Sequence, residues 1–153
     1  MTIRIGLDID GVITVEPKRF ADLSQRLIEL TADVRIVTSR SAQARQDTEQ
    51  ELETYGVKYS ELFFLPAISQ AQSLCPHTRL NWYEKYLWQK ANYALTRNLS
   101  HFIDDDAAVE RLFLTYAPQI AFVRYPDSLV WNELFQLVCA GRGEVSEPRT
   151  VGG

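Results

Sequence analysis

Residues 3–12 read Ile-Arg-Ile-Gly-Leu-Asp-Ile-Asp-Gly-Val, a short apolar run ending in two carboxylates spaced two apart. Along a strand, side chains alternate faces, so Asp8 and Asp10 emerge on the same side. Gly11 then frees the backbone to turn just past them. Two carboxylates at the end of a buried strand are costly unless a cation or a proton holds them there. The chemistry open to such a pair is metal binding or acid–base work.

Other polar groups follow other apolar runs. Thr38, Ser39 and Arg40 come after the run at 34–37, and Asp104, Asp105 and Asp106 come after the run at 101–103. If these runs are parallel strands, one sheet edge collects several acids, two hydroxyls and a guanidinium. Acids gathered there repel one another without a cation, and a set of oxygen ligands suits Mg2+. A lysine from the segment before residue 101 would complete a site the size of a phosphate. Lys85 and Lys90 both lie there. Lys85 is preferred, because it is nearer the start of that segment, which points toward the acidic edge.

The elements that must carry these residues are legible as patterns. Strands are expected at 3–7, 34–37, 62–65, 101–103 and 120–123. Helices are expected at 17–30, with Pro17 in a first turn, at 41–55, closed by Gly56, and at 82–95, 107–116 and 129–140. Asp106 precedes Ala107 and reads as a helix cap. Residues 66–80, with Pro66 and Pro76, show no clear period and read as a connection with room for a short helical turn. Strands alternating with helices predict a three-layer α/β/α sandwich around a central, mainly parallel five-stranded sheet. Ligands bind such sheets at the carboxyl ends of the strands. One domain is expected over 1–140, and a disordered tail over 141–153, where Gly, Glu, Pro and Arg dominate.

The order Asp8-x-Asp10-Gly11-Val12, then Thr38 after a strand, then a helical lysine, then Asp104-Asp105 after a strand, resembles the haloacid-dehalogenase-like superfamily of phosphohydrolases. The resemblance covers about residues 3 to 125. The segments Asp-Ile-Asp-Gly-Val and Ile-Val-Thr-Ser-Arg also look like variants found in nucleotidase-like members. The resemblance implies a Rossmann-like fold and a Mg2+-dependent phosphatase acting through an aspartyl-phosphate. Asp8 would be the nucleophile. Asp10 would be the general acid and then the base. Mg2+ would be held by the Asp8 carboxylate, the Asp10 main-chain carbonyl and Asp104, with Asp105 beside or sharing it. Thr38 would hydrogen-bond the phosphoryl group, joined by Ser39, Arg40 and Lys85. Members of this superfamily often carry a cap domain, but the spacing between the motifs leaves room here for at most a small lid. A capless site is open, so the substrate is a phosphorylated small molecule or macromolecule, or a second copy of the chain covers the cleft.

The 153 residues hold 16 Lys and Arg against 20 Asp and Glu, a net charge of -4, which argues against a nucleic-acid binder working by bulk charge. Cys75 and Cys139 show neither metal-ligand spacing nor a disulfide framework. No apolar run reaches membrane-spanning length and no signal segment is recognisable, so no membrane partner and a cytoplasmic location are expected. Two rivals use similar residues. One is a regulatory or interaction domain that binds Mg2+ and phosphate without turnover. The other is a receiver-like signalling domain, but there the phosphorylated aspartate follows the acidic pair, whereas here Asp8-x-Asp10 comes first.

Overall fold

The computed structural model describes residues 2–146, the side chains of 128 and 140–146 excepted. Five short strands, β1 (Arg4–Leu7), β2 (Asp33–Thr38), β3 (Glu61–Phe64), β4 (His101–Asp104) and β5 (Ala121–Arg124), form one sheet in the order β3-β2-β1-β4-β5. All four pairings are parallel. Among the described residues, five α-helices connect them, α1 (Pro17–Glu29), α2 (Arg45–Tyr55), α3 (Ile68–Leu74), α4 (Trp82–Thr96) and α5 (Ala107–Tyr116), and α6 (Ser128–Ser146) follows β5.

A parallel sheet must be covered on both faces, and the strand residues alternate accordingly. Ile5, Leu7, Val34, Ile36 and Ile103 pack with Phe20, Leu23 and Leu27 of α1, Leu52 of α2 and Trp131 of α6. Val37 and Phe102 turn the other way, onto Leu87 and Ala91 of α4 and Val109 and Phe113 of α5. Gly6 is part of this second layer. A methyl group there would sit 2.6 Å from the Phe102 ring, so the bare backbone is what lets that ring lie against β1. The result is the expected three-layer α/β/α sandwich with a Rossmann-like parallel sheet.

The chain steps from β1 outward to β2 and β3, then returns to place β4 on the other side of β1. The strand order therefore reverses between β1 and β4, and crevices for ligands open at such points. Asp8 and Asp104 stand there.

Two expectations need correction. The connection at 66–80 contains a formed helix, α3, tied to α4 by the Gln89 amide donating to the Ala71 carbonyl at 3.3 Å. The last helix does not stop at 140 but continues to Ser146, so residues 141–146 of the expected disordered tail are helical. Gly141 and Gly143 each cost a helix about 1 kcal/mol, but lengthening an existing helix requires no new nucleus. Residues 147–153 of that tail lie outside the described residues. Among the described residues, no helix is long and apolar enough to cross a membrane.

Candidate active site

β1 and β4 lie side by side with Leu7 opposite Ile103, and the Asp8 N–H donates to the Ile103 carbonyl at 3.1 Å. This register carries the Asp8 side chain to that of Asp104. Both are buried, at 6% and 0% exposure. Carboxylate oxygens of Asp8, Asp104 and Asp105 all lie within 4.8 Å of one another.

Lys90 reaches the pair from mid-α4. Its Nζ stands 2.7 Å from Asp104 Oδ2 and 3.2 Å from Asp8 Oδ1, and the residue is 3% exposed. The preference for Lys85 is therefore corrected. Lys85 is half-buried and pairs with no described acid. The reason is length. Fifteen residues of helix span about 22 Å, whereas a four-residue strand spans about 13 Å. The first turns of α4 overshoot the sheet: the Tyr86 hydroxyl already meets the Ser39 carbonyl beyond β2, at 3.1 Å. The residue level with Asp8 lies a turn further down. Five residues also turn the helix by about 140°, so Lys85 and Lys90 occupy different faces.

Burial raises the Asp8 carboxyl to about pH 8, despite the opposing pull of Lys90. Burial likewise raises Asp104, again against Lys90. Burial alone would lower the Lys90 ammonium, but Asp104 and Asp8 outweigh it and hold it above its ordinary value. With all three acids ionised, three carboxylates face one ammonium and leave two negative charges uncompensated. An oxygen-only set with that charge fits a hard divalent cation such as Mg2+.

The turn after Asp8 brings Asp105 in. Gly11 has φ +82°, and a methyl group at its Cα would lie 2.2 Å from Asp105 Oδ2. Any other residue would be strained and would displace that carboxylate. Asp105 is held from behind, because Arg124 Nε donates to its carbonyl at 2.9 Å while the same guanidinium pairs with Glu110 at 3.0 Å. Asp106 is a cap, as expected: its Oδ1 accepts from the Ala108 N–H at 2.7 Å, and its own N–H donates to Asp104 Oδ1 at 3.0 Å.

Asp10 stands apart from the buried acids. It is exposed and forms a two-bond pair with Arg40, whose Nε and Nη2 donate at 2.9 and 2.8 Å. That hydrogen bonding holds the Asp10 carboxyl below its ordinary range. Arg40 is anchored in turn on α2, to Glu51 Oε1 at 2.8 Å and Thr48 Oγ1 at 3.2 Å. Thr38 is buried at the end of β2, where its Oγ1 accepts from the Arg40 N–H at 3.1 Å. Ser39 is exposed in the following loop. The structure thus gathers Asp8, Asp104, Asp105 and Lys90 at one point and sets Thr38, Ser39, Arg40 and Asp10 along the same edge. The Arg40 clamp on Asp10 is a feature that sequence spacing did not reveal, since Arg40 joins Asp10 in the turn after β1 to Thr48 and Glu51 on α2.

No protein-family model matches the chain, and no curated protein sequence matches it. Among solved structures, the fold is similar to a "putative UDP-N-acetylglucosamine 2-epimerase" from Listeria monocytogenes, with 14% identity and a TM-score of 0.47. The match covers 80% of this chain and 30% of that one, so this chain spans under a third of that protein's length. A likeness of that degree carries no functional inference.

Proposed function

We propose that the protein is a Mg2+-dependent phosphatase that hydrolyses a phosphate monoester through Asp8. The observation that carries this reading is the buried Asp8–Lys90–Asp104 arrangement with Asp105 beside it, an acidic cluster whose charge calls for a divalent cation. Asp8, Asp104 and Asp105 would hold Mg2+, with the Asp10 main-chain carbonyl. When bound, Mg2+ would offset the repulsion between carboxylate and phosphate and stabilise charge in the transition state.

The chain's own groups then divide the work. An Asp8 oxygen bonds to phosphorus as the ester P–O bond breaks, and the leaving oxygen takes its proton from Asp10. Water next attacks the aspartyl-phosphate, giving its proton to Asp10 and releasing Asp8 and inorganic phosphate. Lys90 orients Asp8 and favours its ionised form against the effect of burial, and Thr38 Oγ1 offers a hydrogen bond to the phosphoryl group. In its pair with Arg40, Asp10 is in the ionised form needed for the second step. For the first step that pair must open so that Asp10 can carry a proton.

The same pair favours a second reading. An ion-paired Asp10 is a poor proton donor, as a domain that binds Mg2+ and phosphate without turnover would allow. Asp8→Asn separates the two. Phosphatase activity requires that this variant lose turnover of phosphate esters by about a thousandfold or more while its circular dichroism stays that of the parent. Activity that survives the substitution, or exhaustive chelation of divalent metal, would sink the phosphatase reading.

A further inference from the structure

Arg40 has two carboxylate partners of unequal standing. Asp10 lies in the turn after β1 with its side chain 62% exposed, and among the described residues its carboxylate bonds to Arg40 alone. Glu51 stands on α2 and is braced there, because the Tyr55 hydroxyl donates to its Oε2 at 2.8 Å. Hydrogen bonds from Arg40 and Tyr55 hold the Glu51 carboxyl below its ordinary range. Thr48, Glu51 and Tyr55 are spaced three and four apart, on one face of α2.

The guanidinium divides its donors between the two acids. Nε and Nη2 reach Asp10, whereas Nη1 donates to Glu51 Oε1 at 2.8 Å and to Thr48 Oγ1 at 3.2 Å, and Nη2 also reaches Glu51 Oε2 at 3.4 Å. When Asp10 turns away toward a leaving oxygen, Arg40 therefore keeps a carboxylate. A guanidinium only 20% exposed is costly to leave without a counter-charge. Were Glu51 uncharged, Asp10 would be the one carboxylate neutralising Arg40, and its departure would carry that cost.

We propose that Glu51 is a positioning residue of the phosphatase reaction, holding Arg40 on α2 while Asp10 leaves the pair to meet the leaving oxygen. The proposal rests on the phosphatase reading and adds to it the residue that governs release of the acid. Glu51 acts only through Arg40.

Leaving-group chemistry tests this. The alkoxide of benzyl phosphate is too basic to depart without a proton, whereas para-nitrophenolate departs without one, so only the benzyl ester depends on Asp10 as an acid. With Mg2+ present, kcat/KM reads the step in which Asp8 bonds to phosphorus and the ester P–O bond breaks. Glu51→Gln keeps the shape of the side chain and removes its charge. It should raise the ratio of kcat/KM for para-nitrophenyl phosphate over benzyl phosphate about tenfold, part of the roughly hundredfold or more that a general acid supplies. Tyr55→Phe, which removes the donor bracing Glu51, should raise it about threefold, the scale of one hydrogen bond. Both esters are read on one preparation, so any loss of folded protein cancels in the ratio. In Asp10→Asn, which has no acid to release, adding Glu51→Gln should leave the ratio as it is. An unchanged ratio in Glu51→Gln would overturn the role of Glu51 and leave the phosphatase reading standing. A ratio that still rises in the Asp10→Asn background would overturn that role as well. If the parent hydrolyses neither ester, the phosphatase reading fails and the role of Glu51 fails with it.

Discussion

Lys90 decides how the buried acids coexist. Without it, Asp8 and Asp104 would face each other with little exposure to water, and removing one partner of a buried charge pair costs about 3–5 kcal/mol. Lys90→Met should therefore lower stability by that order at neutral pH, and by less in acid, where the carboxyls protonate. Lys85→Ala should change stability by no more than about 0.5 kcal/mol, as expected of a half-buried lysine that pairs with no described acid. Urea unfolding of both variants checks the pair, and equal losses would refute the placement of Lys90. Lysine type and approximate position were legible in the chain. The choice between two lysines five residues apart was not, because it depends on how far α4 overshoots the strands.

The short elements place the site through their ends. β1, β2 and β4 stop where Asp8, Thr38 and Asp104 stand, and α5 begins at once with Asp106 as its cap. That cap was readable, because an acid directly before an alanine-rich helical stretch has a local partner. Asp106→Ala should cost about 1 kcal/mol in thermal or urea unfolding while Mg2+ binding is retained, since the Asp104 carboxylate bonds to the main chain of Asp106 rather than to its side chain. Loss of Mg2+ binding in that variant would make Asp106 a ligand. Strand and helix order were equally readable, because both rest on local periodicity. The helix α3 and the extension of α6 to Ser146 were not. The first follows from packing on α4, and the second lies in a stretch whose composition favours disorder.

For the whole molecule, the buried acids couple stability to pH and, on the proposed reading, to metal. Asp8 titrates near 4 when unfolded and at about 8 when buried in the fold. Between those values the folded state binds the extra proton. Its contribution to stability is complete below about pH 4 and is lost as pH rises through 8. Asp104, raised in the same direction, adds to the slope. Half-buried His101, whose pKa is lowered by that burial, slopes the other way. The comparison that isolates Asp8 is therefore the parent protein against Asp8→Asn. Without metal, the parent should lose melting temperature relative to the variant as pH rises from 5 to 8. On the proposed reading Mg2+ binds the ionised carboxylates, so adding it should remove the difference and raise the parent's Tm most at the upper end of that range. A pH-independent difference between the two proteins would show that Asp8 does not change protonation on folding.

Local pattern alone determined the alternation of strands and helices, the acids, threonine and arginine at strand ends, and the helix ends at Asp106 and Gly56, because each is set by residues close together in the chain. Only the tertiary structure decided that Asp8, Asp104 and Asp105 converge, that Lys90 rather than Lys85 joins them, and that Arg40 ties Asp10 to α2. Those contacts join residues on different elements, up to 82 positions apart for Asp8 and Lys90, and their distances depend on strand order, helix length and the close approach that Gly11 permits.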